Sequence, residues 1–131
     1  MRNLLRDERG IIASWLGRIV ITTAAVGVIL FDAGSIAVNF FGLDATADDV
    51  AVSVSNVAKT TSDPLTALQL EEEARRLAKE ADARLVEFTY DVEANRIFIT
   101  IRREANTLIV SRFGATEDWG KATAESQAPT K

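Results

Sequence analysis

The main candidate catalytic residues of this chain are its carboxylates, because its 131 residues include neither histidine nor cysteine. Lacking histidine, the sequence has no side chain whose unperturbed pKa lies near neutrality and lacks the commonest transition-metal ligand; lacking cysteine, it has no thiolate or disulfide chemistry. The paired carboxylates Asp48–Asp49 and Glu71–Glu73 could share acid and base steps. Both pairs fall on segments predicted to be exposed, without an apolar pocket to raise a pKa. The sequence therefore predicts no catalytic residue, no cofactor and no enzymatic activity.

One acidic group imitates the start of a calcium-binding loop. Asp91, Glu93 and Asn95 alternate along the chain as the first ligands of such a loop do. The sixth position, which requires glycine, is Arg96, and the twelfth, which requires a bidentate glutamate, is Arg102. Because aspartate and asparagine also favour turns, the group is interpreted as a hairpin turn, and no metal site is predicted.

The element that must position everything else is an apolar stretch at residues 19–43, whose 25 residues include one charge, Asp32. About 20 apolar residues in a helix cross the roughly 30 Å hydrocarbon core of a bilayer. Basic residues precede the stretch and acidic residues follow it, and basic flanks stay on the cytoplasmic side. These flanks are Arg2, Arg6, Arg9 and Arg18 before the stretch, and Asp44, Asp48 and Asp49 after it. The sequence predicts a single-pass protein of the cytoplasmic membrane, with its N-terminus inside and its C-terminal head outside.

The predicted division is a charged cytoplasmic leader at residues 1–10 and a transmembrane helix at residues 11–43. Trp15 and Arg18 suit the inner interface, where aromatic rings concentrate and a long basic side chain reaches the headgroups. The alternative is a cleaved signal peptide, with small residues at Ser35 and Ala37 as its cleavage site. Retention as an anchor is favoured because the sequence stays apolar to residue 43, whereas a signal gives way to polar mature sequence.

Asp32 lies 14 residues beyond Arg18, about 21 Å along a helix, so the two charges cannot pair within one chain. Either Asp32 is hydrated near the outer interface, or it finds a donor on a neighbouring helix. Thr23, Gly27 and Gly34 share one helical face, and small residues there let two membrane helices approach closely. Asp32 and these three residues are the predicted helix–helix contacts, through which the chain could form homo- or hetero-oligomers. Ordinary membrane-helix composition also explains the glycines.

The remaining chain predicts an α+β fold, in which one or two helices pack on a short antiparallel sheet. A helix at residues 64–83, capped by Ser62 or Asp63, has one apolar and one charged face. Residues 86–90 and 97–101 alternate apolar and polar side chains and predict two strands of a hairpin. The other predicted elements are a short helix at 44–59 with Asp44 or Thr46 as its N-cap, a last strand within 115–126 and a disordered tail at 127–131, so that the head covers 44–126.

Charge argues against nucleic acid as a partner. Residues 1–18 hold four arginines and two carboxylates, which leaves the remainder with 11 basic and 17 acidic groups, a net charge of −6. Such a surface repels a phosphate backbone, and its aromatic residues do not alternate with a basic stripe. We therefore predict no nucleic-acid binding.

Three short motifs resemble the TadE/TadG-like minor pilins of the tight-adherence pilus, which is related to type IV pili. Residues 7–10 (DERG) resemble the leader of that family, whose glycine precedes the prepilin peptidase cleavage point. Residues 31–34 (FDAG) resemble its Asp-x-Gly near the helix end, and residues 96–114 resemble its strand followed by a short apolar segment and a glycine.

The resemblance implies a processing site between Gly10 and Ile11 and a non-catalytic function in a pilus or secretion-type cell-envelope assembly. The implied partners are the lipid bilayer and other membrane subunits of that assembly. The family usually has glutamate at the fifth position after the cleavage point, where this chain has Trp15. This departure favours a divergent accessory component over a standard filament subunit. The alternative function is a secreted or membrane-anchored extracytoplasmic binding module unrelated to pili.

Overall fold

A computed structural model describes residues 4–131, with side chains from residue 10 onward. A long apolar helix is followed by a second helix and a three-stranded antiparallel sheet, which is the predicted α+β class. The elements are α1 (Leu4–Thr60), α2 (Ala67–Glu80), β1 (Arg84–Asp91), β2 (Arg96–Glu104), 3₁₀ turns at Val110–Arg112 and Glu117–Gly120, and β3 (Lys121–Pro129). Residues 1–3 of the predicted leader lie outside the described residues, and residues 4–10 begin α1.

Helix α1 is continuous over 57 residues, about 85 Å, whereas the sequence predicted a break near residue 44. Both prolines of the chain lie beyond Thr60, so nothing in α1 removes a helical hydrogen bond. Thr46, a predicted helix cap, instead turns its hydroxyl back to the carbonyl of Gly42, 2.9 Å away, as threonine does inside a helix. One rigid element therefore joins the N-terminal half of the chain to the rest.

The sheet has the order β1-β2-β3, and both pairs of neighbours are antiparallel. The predicted hairpin between β1 and β2 is confirmed, with a turn in which the Asp91 carboxylate accepts the amide of Ala94 at 2.9 Å. Asn95 adopts a left-handed backbone (φ 51°), which asparagine tolerates well. The acidic group that imitates a calcium loop is thus part of a turn.

Helix α2 begins at Ala67, three residues later than predicted. Thr66 is its N-cap, and its hydroxyl accepts the Gln69 amide while the Gln69 side chain accepts the Thr66 amide. This reciprocal pair satisfies two backbone amides that have no partner within the first turn of the helix. Pro64 therefore lies in the preceding loop rather than in the first turn.

The last strand extends to Pro129 and includes residues 127–129, which the sequence predicted to be part of a disordered tail. Its register with β2 runs without interruption from Glu104 opposite Lys121 to Arg96 opposite Pro129. Beyond the strand, the amide of Thr130 donates to the carbonyl of Asn95 at 2.8 Å. The small alanines that β3 turns inward are weak as a sequence signal, but they let the strand lie close to α1.

The core of the head lies between the sheet and the C-terminal half of α1, with α2 packed beside α1 and against β1. Each element contributes one apolar face. The buried residues are Leu43, Ala47, Val50, Ala51 and Val54 of α1, Leu70, Ala74 and Ala78 of α2, Ile97, Ile99 and Ile101 of β2, and Ala122, Ala124 and Ala128 of β3. The head, as the structure defines it, comprises residues 32–131, because burial along α1 begins at Asp32.

Candidate functional site

The N-terminal half of α1 stands free of the head. None of residues 10–31, the bare segment, is buried, and apolar side chains such as Ile21, Ile29 and Leu30 are each more than 60% exposed. These 22 residues span about 33 Å, close to the roughly 30 Å hydrocarbon core of a bilayer. Within the described part of the chain, α1 is the one helix long and apolar enough to cross a membrane.

Asp32 marks the point where the helix leaves the head. Its carboxylate accepts the backbone N–H groups of Leu108, Ile109 and Val110 at 2.6, 2.9 and 3.0 Å, and only 3% of the residue is exposed. The structure therefore shows neither environment that the sequence predicted. The carboxylate is not hydrated, and its donors come from its own head rather than from another helix.

Two turns further along α1, Asn39 and Arg103 of β2 form a reciprocal set of hydrogen bonds, here named the clasp. The Asn39 amide donates to the carbonyls of Arg103 and Gly120 at 3.0 and 3.2 Å. In return, Arg103 Nε donates to Asn39 Oδ1 at 2.7 Å, and Arg103 Nη2 lies 3.3 Å from the Asn39 carbonyl. A β-carbon at Gly42 would stand 3.1 Å from that same Nη2, so glycine gives the guanidinium room beside the helix.

Polar contacts with the head occur at successive positions of α1, from Asp32 to Ser55. Between Asp32 and Asn39, the Ser35 hydroxyl donates to the Asn106 carbonyl at 2.6 Å. Towards the other end, Ser126 bonds Asp48, and the Ser55 hydroxyl bonds the Pro129 carbonyl. Residues 32–43, which the sequence predicted to belong to the transmembrane helix, are therefore the part of α1 that the head contacts first.

Asn39 and Arg103 were not predicted as functional residues, although a signal for the first was present. Asp32, Ser35 and Asn39 are polar residues three and four positions apart inside an apolar run, which places them on one helical face. Leu43 and Ala47 continue that face into the core. The polar residues of this face contact the irregular loop, and the apolar residues that follow them pack in the core with the sheet.

The other predicted contact residues lie on the uncovered helix. Thr23 and Gly27 belong to the bare segment, and Gly34 lies one turn of α1 before Val38, on the exposed side. A β-carbon added at Gly27 or Gly34 would have no atom within 4 Å. Contact between these residues and another helix stays a prediction, as does processing between Gly10 and Ile11.

Three of the four carboxylates considered for catalysis make hydrogen bonds or ion pairs, and the fourth, Asp49, is exposed. Asp48 bonds Ser126, Glu71 pairs with Arg75 at 2.7 Å, and Glu73 pairs with Arg76. The hydrogen bond from Arg76 holds the pKa of Glu73 below its usual range, opposite to the shift that a general acid needs. Among the side chains that the structure describes, no three or more acidic groups gather as metal ligands would.

A polar cleft of about 590 Å³ opens beside the clasp, lined by residues that include Ser35, Asp82, Arg103 and Asn106. Its main cation, Arg103, already bonds Asn39. The candidate site is therefore a structural junction, at which a bare apolar helix enters a small acidic head. Comparisons with protein-family models, with curated proteins and with solved structures found no match for this chain.

Proposed function

We propose that this protein is a non-catalytic, single-pass component of a pilus or secretion-type assembly in the cell envelope, with its head outside the cytoplasmic membrane. The observation that carries the proposal is the bare segment. Its apolar surface is exposed, and it belongs to a helix that is long and apolar enough to cross a bilayer and that continues without a break to the head. A rigid connection of this kind transmits position and force from the membrane to the displayed domain.

The orientation follows from charge. Arg18 and the preceding arginines lie before the apolar stretch, and the acidic head lies after it. Basic flanks are retained on the cytoplasmic side during insertion. The motifs at residues 7–10, 31–34 and 96–114 add the resemblance to TadE/TadG-like minor pilins, from which the assembly itself is proposed.

The contacts of the junction favour a retained anchor over a cleaved signal peptide. Cleavage near Ala37 would remove Asp32 and Ser35, and with them the acceptor of three loop amides and the donor to Asn106. Leaving such groups without partners costs about 1–3 kcal/mol for each buried one. A mature domain that begins after residue 37 would lose part of its own structure.

The first test is the intact mass and N-terminal sequence of the protein from its native membrane fraction, compared with the 14.3 kDa full chain. A start at Ile11 supports prepilin-type processing and an assembly in the pilus class. An intact Met1 leaves an uncleaved anchor and contradicts a filament subunit. A start near residue 38 in the soluble fraction would contradict the anchor and favour a secreted binding module.

Assembly is tested by photo-crosslinking from the bare segment in the native membrane. A benzophenone amino acid replaces Gly27 in one variant and Ile29 in the matched control, which lies on the opposite helical face. We expect crosslinks to protein subunits from position 27 and to lipid from position 29. Lipid adducts alone from both positions would contradict an assembly through this helix.

A further inference from the structure

The loop between β2 and β3, residues 105–120, exposes a set of large apolar side chains. Leu108, Ile109, Phe113 and Trp119 are 50, 41, 60 and 62% exposed. On the uncovered side of α1 at the same level, Val38 and Phe41 are 73 and 82% exposed. These six exposed side chains, which belong to the loop and to the adjoining part of α1, are here named the exit collar.

The position of the loop follows from its bonds to α1. Leu108 is held at the level of Asp32, Asn106 at that of Ser35, and Gly120 at that of Asn39. The hairpin turn at residues 91–95 lies at the other end of the head, because Thr130 bonds Asn95 and its neighbour Pro129 bonds Ser55. The exit collar is therefore the part of the head nearest the bare segment.

The thickness of a bilayer can be compared with the spacing of the charges along α1. Arg18 is the last charge before Asp32, and the two are 14 residues apart, about 21 Å along the helix. A hydrocarbon core of about 30 Å is longer than this distance. With Arg18 at the inner interface, the outer edge of the core falls about 6 residues beyond Asp32, near Asn39. That is the level of Trp119, Val38 and Phe41.

Several backbone amides of this irregular loop have acceptors within the protein. The amides of Leu108, Ile109 and Val110 bond Asp32, and that of Ser111 bonds the Thr107 hydroxyl at 3.1 Å. The next bonded amides also find acceptors inside the loop; they belong to Arg112, Thr116 and Trp119. Irregular backbone at membrane depth is tolerated only where its polar groups are satisfied by protein.

The charges beside Trp119 are partly compensated, because one lysine pairs with two carboxylates. Glu117 and Asp118 pair with Lys121 at 3.5 and 2.9 Å. Tryptophan is enriched at the boundary between hydrocarbon and headgroups, where its ring is apolar and its N–H finds polar partners. Trp15 has the same chemistry on the inner side, 24 residues and about 36 Å before Asn39.

We infer that the exit collar sits in the outer leaflet of the lipid bilayer, so that the head is embedded by its lower end rather than held above the membrane. This inference rests on the proposed membrane span. The occupant of the collar is lipid because the apolar surface is continuous with the bare segment and reaches the level that the bilayer thickness requires. Asp32 then serves to satisfy the loop amides where water is scarce.

The test uses the two tryptophans of the full chain, reconstituted in vesicles of phosphatidylcholine with phosphatidylglycerol. Trp15→Phe leaves Trp119 as the sole reporter, and Trp119→Phe leaves Trp15. In the Trp15→Phe/Trp119→Phe background, Phe113→Trp provides a second reporter in the collar. Val92→Trp in the same background is the matched control, because Val92 is 67% exposed on the hairpin turn at the far end. Lipids brominated at a shallow or a deep acyl position quench tryptophan on contact.

We expect the two collar reporters, at positions 119 and 113, to lose about half of their emission in shallow brominated lipid, as interfacial tryptophans should. The reporter at position 92 should lose none. If Trp15 is quenched while both collar reporters behave like position 92, the collar lies outside the bilayer and the inference is overturned, although the anchor stands. If Trp15 is also unquenched, the membrane span itself fails. If brominated lipid leaves the emission of the collar reporters unchanged but dilution of the protein in lipid changes it, the collar contacts a second copy of the chain. That result also overturns the inference.

Discussion

Two side chains of α1 join the helix to the head by serving several partners each. Asp32 accepts three loop amides, while Asn39 donates to two carbonyls and accepts from the Arg103 guanidinium. A buried polar group that loses its partner costs about 1–3 kcal/mol, more than the bond itself contributes. These residues therefore matter through the groups that their removal would leave without partners.

Asp32→Asn keeps the size of the side chain but offers one acceptor oxygen and turns an NH₂ group towards the loop amides. We expect the loop to lose about 1–3 kcal/mol of local stability, so that the amides of residues 108–110 exchange roughly 5- to 150-fold faster. Hydrogen exchange measured by mass spectrometry on the full chain in micelles checks this. Asp49→Asn, at an exposed position of the same helix, is the control and should leave these amides unchanged. Equal protection in both variants would contradict the capping of the loop by Asp32.

Asn39→Ala removes the acceptor of Arg103 Nε and both donors to the carbonyls of Arg103 and Gly120. We expect the free energy of unfolding to fall by about 2–3 kcal/mol. Denaturant unfolding in micelles measures it, with Asn56→Ala on the exposed face of α1 as a control that should change by less than about 0.5 kcal/mol. A cycle with Arg103→Ala should be non-additive, because the two side chains contact one another. Additive losses would mean that the clasp does not form.

Helix α1 has two different environments along one uninterrupted element. Its first half is exposed and apolar, and its second half presents the stripe Leu43, Ala47, Val50 and Val54 to the sheet. Continuity through Asp44 and Thr46 is what couples the halves, since a flexible joint there would let the head turn freely. The absence of proline from α1 and the packing of Leu43, Ala47 and Val50 in the core explain why no joint forms.

Ala45→Pro separates the continuous helix from the alternative of a new helix capped at Asp44. Proline inside a helix costs about 3 kcal/mol or more, because it removes a hydrogen bond and its ring clashes with the carbonyl of the preceding turn. Proline directly after an N-cap is favourable. Ala45 is exposed, so its side chain adds no packing loss. We expect a loss of about 3 kcal/mol in the unfolding free energy in micelles, against about 1 kcal/mol for the control Ala45→Gly. A neutral or stabilising effect of proline would show that the helix breaks there.

At the scale of the whole molecule, the head starts at Asp32 and therefore shares α1 with the bare segment. A head of about 100 residues buries a modest core, so the contacts of residues 32–43 form a substantial part of its stability. They include the Asp32, Ser35 and Asn39 bonds and the fully buried Leu43.

Two fragments test this boundary. A fragment of residues 32–131 keeps the bonds that Asp32, Ser35 and Asn39 make with the loop, whereas a fragment of residues 44–131, which starts where the sequence alone places the head, loses them. We expect the longer fragment to unfold cooperatively and the shorter one to melt at least about 10 °C lower, since each kcal/mol shifts the midpoint by about 4–8 °C in a domain of this size. Circular dichroism during heating measures both. Equal midpoints would show that residues 32–43 do not belong to the head.

Several elements could be predicted from the sequence because their signals are local. The apolar run of α1, the amphipathic pattern of α2 and the alternation of Phe88, Tyr90, Ile97 and Ile99 depend on neighbours a few positions apart, and each predicted its element correctly in kind. The folded structure was needed to show where on α1 the head begins and what Asp32 binds. Its donors lie 76–78 residues away in the chain, in a loop whose position depends on the pairing of β3 with β2. A polar residue in an apolar run shows that some partner is needed, but which partner it meets depends on how distant segments pack.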